Sequence, residues 1–461
     1  MYSPIKPLAS YIKESRQATI DAMRLLISRY EANYGYPFIN MKFSTLDGKD
    51  FEAEADVERD FRGPSAIFGW IQGRGLESLA MHAAWMDTEE PQLSVACDGM
   101  LAAVTERLLR ISMFNEGRFV FLTTPDGRPF RMGADGRREY YNASTLPPGT
   151  TDQFTSKGLI AAGVRLGRKD VLDLGLETFR NVIAAIRQHN YRGDQVAFDP
   201  KNPASKPIPG RFGKGPWMLA MGAYALFCEI CPETGNWVHD GCLALEEMLD
   251  KCVVAKDGDG LRKYDYVEYG DKNGNPWRDD QGRVYQDPGH ALEFVGLAAR
   301  FLYFARKRNP TSALYLRVSE RCKRDFPEIF MSAFNNGFQR PAGGICKTFD
   351  LIGRKAINDD MPWWNLPETL RAAAFVLEMS PDHPRRKEVA AAAAECAAAL
   401  FGPFRSPVPG IFAQTRNVAG EAVPVVPATP DADPGYHTGL ALIDFINICE
   451  MLKKDNPGAL E

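Results

Sequence analysis

The chain lacks any excess of positive charge. It carries 55 Lys and Arg against 59 Asp and Glu, which gives its 461 residues a formal net charge of −4. Basic residues occur only in short runs, such as Arg137-Arg138. Proteins that bind nucleic acid usually need a basic surface, because they must neutralise phosphates. We therefore expect no nucleic-acid partner.

Long apolar runs are also lacking, and we expect no leader segment. No stretch approaches the ~18 consecutive apolar residues of a membrane-spanning helix. The first residues, Met1 to Lys6, have neither the basic region nor the apolar region of a signal peptide. These features predict a cytoplasmic protein with no membrane partner.

Cysteine is sparse and unevenly spaced. Nine cysteines are an odd number in a long chain, a pattern that favours reduced thiols over a disulfide framework. The only CxxC runs from Cys228 to Cys231 and precedes Pro232, so it falls at a predicted helix end. Redox pairs use a helix N-terminus, and we therefore interpret this pair as core packing.

The composition is that of an ordinary globular protein, with 45% apolar and 25% charged residues. The length exceeds that of most single domains, but closed barrels reach it. We predict a single domain over residues 1–461, and two domains remain an alternative at this point.

Apolar periodicity and breaker residues predict twelve helices. The connections are roughly two to five residues long after each even-numbered segment and roughly 24–38 after each odd-numbered one. This alternation indicates six helical hairpins. The segments are 10–33, 65–87, 90–113, 152–166, 169–190, 215–231, 236–253, 289–308, 310–334, 362–379, 384–401 and 435–453.

The even-numbered segments are more apolar and richer in small residues, as in Gly158 to Gly163. A helix that is apolar around most of its circumference must be buried, so the even set should be inner and the odd set outer. We therefore predict an all-α fold, an (α/α)6 barrel with short β-hairpins in the loops at one rim. A bundle or a two-domain solenoid would also alternate short and long connections.

One stretch combines a helix start with two titratable side chains. Asp287-Pro288-Gly289 predicts the start of a helix, which places His290 in its first turn. Glu293 follows three residues later, so both side chains share one helical face. They could meet one small ligand.

Other polar and aromatic residues fall at the starts of other even-numbered helices. If the barrel closes, these groups converge on one pocket with His290 and Glu293. They are Trp70, Gln72 and Arg74 in helix two, Trp363, Trp364 and Glu368 in helix ten, and Tyr436 and His437 in helix twelve.

Two imidazoles beside an arginine suit proton transfer next to a sugar carbonyl. One neutral ring can take a proton from carbon while a second, protonated ring returns one. Arg74 could hold the oxyanion, Glu368 could accept hydroxyl hydrogen bonds, and the faces of Trp70, Trp363, Trp364 and Tyr436 could contact the sugar ring.

Other chemistries remain open on the residues alone. A His and a Glu three residues apart also occur in di-iron bundles, but those need the motif twice, and we expect no metal. A glycan hydrolase or lyase could use Glu293, Glu368 and Asp287. A sugar-binding protein without catalysis is a third possibility.

Two of these motifs resemble those of the N-acylglucosamine 2-epimerase family. Asp287 to Glu293 is similar to that family's Asn-Pro-Gly-His-x-Leu-Glu, and Trp70 to Arg74 is similar to its Trp-x-Gln-Gly-Arg. Further matching positions follow in family order, from about residue 35 onward. They are Ala342-Gly343-Gly344, Trp363-Trp364, Glu368 and Tyr436-His437.

The resemblance implies cofactor-free inversion at C2 of an aldose through ring opening and a cis-enediol, or aldose–ketose isomerisation in related members. It implies His290 and His437 as the acid and base, Arg74 as the oxygen binder, and Glu293 and Glu368 as orienting or substrate groups. It further implies a possible homodimer. Glu77 stands where the family has an aromatic residue, and Thr438-Gly439 replaces its Pro-Arg, which indicates altered sugar contacts.

Overall fold

The computed structural model describes residues 5–33, 35–194, 208–423, 429–455 and 460. Each predicted segment corresponds to one α-helix in this part of the chain. The helices are α1 Ile12–Ala32, α2 Gly69–Met86, α3 Pro91–Phe114, α4 Thr150–Arg165, α5 Lys169–Arg187, α6 Gly215–Ile230, α7 Trp237–Cys252, α8 Pro288–Arg308, α9 Ala313–Gly337, α10 Asn365–Met379, α11 Arg386–Leu400 and α12 Ala441–Asp455.

The even-numbered helices form the inner ring. Along the ring α2 packs on α4, α4 on α6, α6 on α8, α8 on α10 and α10 on α12. The ring closes where a π-helical turn before α12, Tyr436–Leu440, packs on α2. Each odd-numbered helix lies outside, against its hairpin partner or ring neighbours. The predicted (α/α)6 barrel and its inner and outer sets are confirmed.

Small residues explain how closely the inner helices approach. A Cβ on Gly73 of α2 would lie 2.6 Å from the backbone nitrogen of Thr155 in α4. A Cβ on Gly158 of α4 would lie 2.4 Å from the carbonyl oxygen of Gly73. Larger side chains would force the two backbones apart, because close-packed helices cannot absorb such clashes. The glycine-rich sequence of these helices is thus a condition for the narrow ring.

Short strands occupy the long connections before the inner helices. β3 with β4, β8 with β9, and β10 with β11 are local hairpins, which confirms the predicted rim hairpins. The remaining pairs join different connections: β1 with β2, β5 with β6, β7 with β10, and β12 with β13. The strands are β1 Ile67–Phe68, β2 Leu122–Thr123, β3 Phe130–Met132, β4 Arg138–Tyr140, β5 Phe212–Gly213, β6 Tyr269–Gly270, β7 Tyr285–Gln286, β8 Phe338–Gln339, β9 Gly344–Ile345, β10 Thr348–Asp350, β11 Lys355–Asn358, β12 Met361–Pro362 and β13 Thr415–Arg416.

One continuous apolar core contains residues from all twelve helices. All nine cysteines are buried with free thiols, including Cys228 and Cys231, as the uneven spacing predicted. Among the described residues, no helix combines the length and the apolar character needed to span a bilayer.

Candidate active site

His290 lies in the first turn of α8, as predicted. Asp287 is the N-cap residue of this helix, and its Oδ1 accepts hydrogen bonds from the backbone N–H groups of Gly289 (3.0 Å) and His290 (3.3 Å). Pro288 occupies the first helical position, where a missing N–H costs nothing. The local sequence therefore fixes the backbone that carries the imidazole.

Two carboxylates from different elements face Nδ1 of this imidazole. Glu268 Oε1 lies 2.9 Å from it, and Asp287 Oδ2 lies 3.5 Å from it. Burial disfavours the charged ring, but Asp287 and Glu268 outweigh it and raise the pKa of His290 to about 9. His290 is thus held as an imidazolium at neutral pH. Glu268 and Asp287 face its Nδ1 and do not occupy its Nε2–H.

His437 lies in the π-helical turn before α12 and is held in a similar way. Asp433 Oδ1 accepts from the backbone N–H groups of Tyr436 (3.0 Å) and His437 (3.3 Å). The imidazole Nδ1 lies 3.0 Å from Glu368 Oε1. Burial and the nearby Arg74 guanidinium lower the pKa of His437 to about 3. This second ring is therefore neutral where the first is charged.

Trp364 lies beside both imidazoles. Its ring centroid is 5.4 Å from that of His290 and 5.5 Å from that of His437, with interplanar angles of 33° and 35°. His290 and His437 are far apart in the chain, but both imidazoles lie beside this indole. The predicted convergence of His290, His437 and Trp364 at one rim is observed.

The carboxyl groups of Glu293 and Glu368 lie next to His437. One oxygen of each and one ring nitrogen of His437 fall within 4.8 Å of one another. Burial, opposed by Arg371, raises the pKa of Glu368 to about 7, and burial together with Glu368 raises the pKa of Glu293. Like charges this close cannot both ionise cheaply, so one proton is readily retained between them.

The same three groups have a spacing that could hold a metal ion. However, Glu368 Oε1 is bonded to His437, and its Oε2 accepts a hydrogen bond from Arg371 at 2.5 Å. Arg74 adds a second positive charge nearby. A cation would have to displace these bonds against two guanidinium groups, so the donor set suits proton transfer better than metal binding.

Arg74 projects from the first turns of α2 into an aromatic cage. Its guanidinium carbon lies 4.1 Å from the ring centroid of Phe154, 5.2 Å from Trp70 and 5.3 Å from Tyr436. Its Nε is buried and has no hydrogen-bond partner among the described residues. Burial lowers the pKa of Arg74, opposed by the Tyr436 hydroxyl and by Asp433. A guanidinium in this setting is a good binder for an oxyanion, because aromatic contacts do not use up the hydrogen-bonding capacity of its Nε–H.

Three of the aromatic residues predicted to contact the sugar ring also make polar contacts with other residues of the protein. The Trp70 Nε1–H points at Asp194 Oδ2 (3.4 Å), and the Trp363 Nε1–H donates to Thr438 Oγ1 (3.1 Å). The Tyr436 hydroxyl accepts from Lys157 Nζ (2.9 Å). These bonds fix ring orientation, and all three side chains are largely buried. Their contact with a sugar remains a prediction.

Two of the predicted residues have partners that the sequence did not indicate. Gln72 is only 2% exposed, and its amide is bonded at both ends to the backbone of Ile39, accepting from the N–H (2.8 Å) and donating to the carbonyl (3.1 Å). It thereby joins the start of α2 to the connection that precedes it, and a contact with the sugar remains a prediction. Nδ1 of His290 faces Glu268 and Asp287, whereas Glu293 lies beside His437.

Sequence reasoning missed Glu268, Lys347 and Arg371. Glu268 and Lys347 lie in long connections, where no helical periodicity marks a side chain's direction. A repeated tripeptide was an available signal for the rest of the site: Asp-Pro-Gly occurs at 287–289 and at 433–435, just before His290 and Tyr436-His437. In both copies the aspartate caps the turn that carries the histidine.

No known protein family matches the sequence, and no curated protein matches it either. Solved structures with a similar fold include a sugar epimerase from a ruminal bacterium, with a TM-score of 0.65, 13% identity and coverage of 95% of this chain and 98% of that one. The cellobiose 2-epimerase of Bacillus thermoamylovorans has a TM-score of 0.61, 11% identity and coverages of 95% and 99%. A D-mannose isomerase has a TM-score of 0.61, 13% identity and coverages of 92% and 97%. This chain shares their barrel over nearly its whole length.

Proposed function

We propose that the protein is a carbohydrate 2-epimerase that inverts C2 of an aldose. The observation that carries the proposal is the pair of histidines, each with Nδ1 against a buried carboxylate, one ring charged and the other neutral, beside one indole. Inversion needs a base and an acid in these opposite protonation states. The fold shared with two sugar epimerases supports it.

In the proposed reaction the sugar opens to its aldehyde form. The neutral His437 takes the C2 proton, the C–H electron pair forms a C1–C2 double bond, and the carbonyl electrons move to O1. Arg74 stabilises the resulting enediolate oxygen by charge and hydrogen bonding. The O1 carbonyl then re-forms, and the C1–C2 double-bond electrons take the Nε2 proton of His290 on the opposite face of C2. The histidines finish in exchanged protonation states and re-equilibrate with solvent before the next turnover.

The surrounding groups have proposed supporting roles. Glu368 and Glu268 fix the tautomers of the two rings, since an imidazole whose Nδ1 is bonded presents Nε2 to its substrate. Glu293 is the carboxyl available to a sugar hydroxyl, and Trp363, Trp364 and Tyr436 form apolar walls. The chemistry needs no cofactor. A homodimer and a cytoplasmic location remain predictions.

The test is a panel of aldoses and N-acylated aldoses incubated with enzyme in D2O and followed by NMR. An accepted sugar should gain deuterium at C2 and convert to its 2-epimer. His437→Ala and His290→Ala should each lower the rate by orders of magnitude while remaining folded. A fully active His437→Ala would rule the mechanism out.

An aldose–ketose isomerase is the second candidate, favoured by the shared fold with a D-mannose isomerase. It would use the same enediolate but return the proton to C1, giving a ketose. The same NMR experiment separates the two outcomes, because deuterium then appears at C1 of a ketose and no 2-epimer accumulates.

A glycan hydrolase is less compatible with the carboxylates. Oxygens of Glu293 and Glu368 lie within 4.8 Å, whereas inverting hydrolases separate their carboxyl groups by roughly 6.5–9.5 Å. A retaining enzyme needs a free carboxylate nucleophile, but both Glu368 oxygens are already bonded. Release of reducing ends from an oligosaccharide, without deuterium at C2, would reverse this preference.

A further inference from the structure

Lys347 lies beside His290 although it belongs to a distant part of the chain. It sits between β9 and β10, and its backbone N–H donates to the carbonyl of Asp360 at 2.8 Å. Its Nζ lies 2.5 Å from Asp287 Oδ2 and 5.2 Å from the ring centroid of Trp364. The backbone of Lys347 is thus bonded to the segment between β11 and β12, and its ammonium lies over the indole next to both imidazoles.

Asp287 divides its two oxygens between different tasks. Oδ1 caps α8, whereas Oδ2 is bonded to Lys347 and lies 3.5 Å from His290 Nδ1. Without the lysine, Oδ2 would have the imidazolium as its nearest cation. His290 would then face two uncompensated carboxylates, because Glu268 already lies at 2.9 Å.

The charges around His290 come from several elements. Asp287 precedes it on α8, Glu268 lies in the connection before β6, and Lys347 lies in the connection before α10. Glu293, one turn along α8, interacts with it as well and has a raised pKa. With two carboxylates, one imidazolium and one ammonium, the group closest to Nδ1 is balanced in charge.

We propose that Lys347 is a positioning residue of this site, which holds Asp287 and adds a positive charge that keeps the His290 imidazolium able to release its proton. The inference rests on the proposed function, in which His290 is the acid. A proton donor works best when its acidity is close to the working pH, so an imidazolium stabilised by two carboxylates alone would be a poor acid. The charge of Lys347 opposes the two carboxylates, so the pKa of His290 is lower than the carboxylates alone would make it.

The first experiment measures the His290 imidazole directly, by NMR titration of the substrate-free protein with labelled histidine. The His290 signal is assigned by its loss in His290→Gln. Lys347→Met and Lys347→Gln should raise the pKa of His290 by about one unit, as removal of a charge at this range does. Lys347→Arg should restore the wild-type value. Lys355→Met, which changes an exposed lysine in the nearby strand β11, is the matched control and should change nothing.

This titration needs no substrate, so it stays informative if no sugar is epimerised. An unchanged His290 pKa in folded Lys347→Met and Lys347→Gln would overturn the proposal. Circular dichroism checks that each variant is folded. If only one of the two variants folds, its titration alone tests the proposal.

The second experiment is kinetic and uses an accepted sugar. Lys347→Met should lower kcat several-fold near neutral pH, leave KM nearly unchanged, and move the alkaline limb of the pH profile upward by about one unit. A large rise in KM with an unmoved alkaline limb would instead mean that Lys347 contacts the sugar, and would contradict the positioning role.

Discussion

Glu268 Oε1 lies 2.9 Å from His290 Nδ1, although 22 residues and the start of α8 separate the two in the chain. The same relationship joins Glu368 to His437, at 3.0 Å. In each pair the carboxylate comes from an element other than the one that carries the histidine. The barrel rim therefore builds two carboxylate–imidazole dyads, and the pKa difference between the rings comes from burial and from the other charges nearby.

Glu268→Gln should weaken the dyad at His290 without changing its shape. Removal of the negative charge should lower the pKa of His290 by about one unit, because an opposite charge at this distance favours the imidazolium. The alkaline limb of the kcat profile should move to lower pH by the same amount. Steady-state rates across the alkaline range measure it.

The control for this variant is Glu139→Gln, which removes an exposed carboxylate from β4. It should leave the profile in place. An alkaline limb that stays where it is in Glu268→Gln would mean that His290 is not the group that titrates there.

The ionisation of His290 should also be visible in stability. Its folded pKa of about 9 lies above the unfolded value of 6.5, so the imidazolium stabilises the fold fully below about pH 6.5. This contribution is lost as the pH rises through 9. Between about pH 6 and about pH 10 the advantage of wild type over His290→Gln in free energy of unfolding should shrink by about 2 kcal/mol, allowing for partial exposure. Urea unfolding at both values measures it, and a constant difference would contradict the raised pKa.

The helices were predictable because their physics is local. Apolar periodicity and the alternation of short and long connections located all twelve, and burial of the even set followed from its composition. His290, Arg74 and Glu368 could be placed at one rim because each lies near the start of an inner helix. The boundary predicted for α12 was early because residues 436–440 are wound as a π-helix, which periodicity does not distinguish.

The rest of the site depended on contacts that no local pattern records. Glu268 and Lys347 lie in long connections whose paths are fixed by strand pairs such as β5 with β6 and β10 with β7. The bonding of Gln72 was also hidden, since its place at a helix start could not reveal that its amide is bonded to the backbone of Ile39. Position on an inner helix predicts nearness to the pocket, but it does not predict which polar groups are already bonded.

Arg74→Met should remove the proposed support for the enediolate oxygen. We expect kcat to fall about 10²–10³-fold with a much smaller change in KM, because the charge on oxygen develops only toward the transition state. Arg74→Lys keeps a charge but loses the planar stack on Phe154, so it should recover little. Initial rates of C2 exchange in D2O measure this step. A rise in KM of the same size with an unchanged kcat would instead show that Arg74 binds only the ground-state sugar.

Gln72→Leu should distinguish a structural role of Gln72 from a role in substrate binding. Loss of the amide leaves the Ile39 N–H and carbonyl buried without partners, which should cost about 1–3 kcal/mol in free energy of unfolding. The folded fraction should retain its kcat and KM, because both ends of the Gln72 amide are bonded to the backbone of Ile39. Denaturant unfolding and steady-state kinetics on the same preparation measure both quantities. A large rise in KM with unchanged stability would instead make Gln72 a substrate contact.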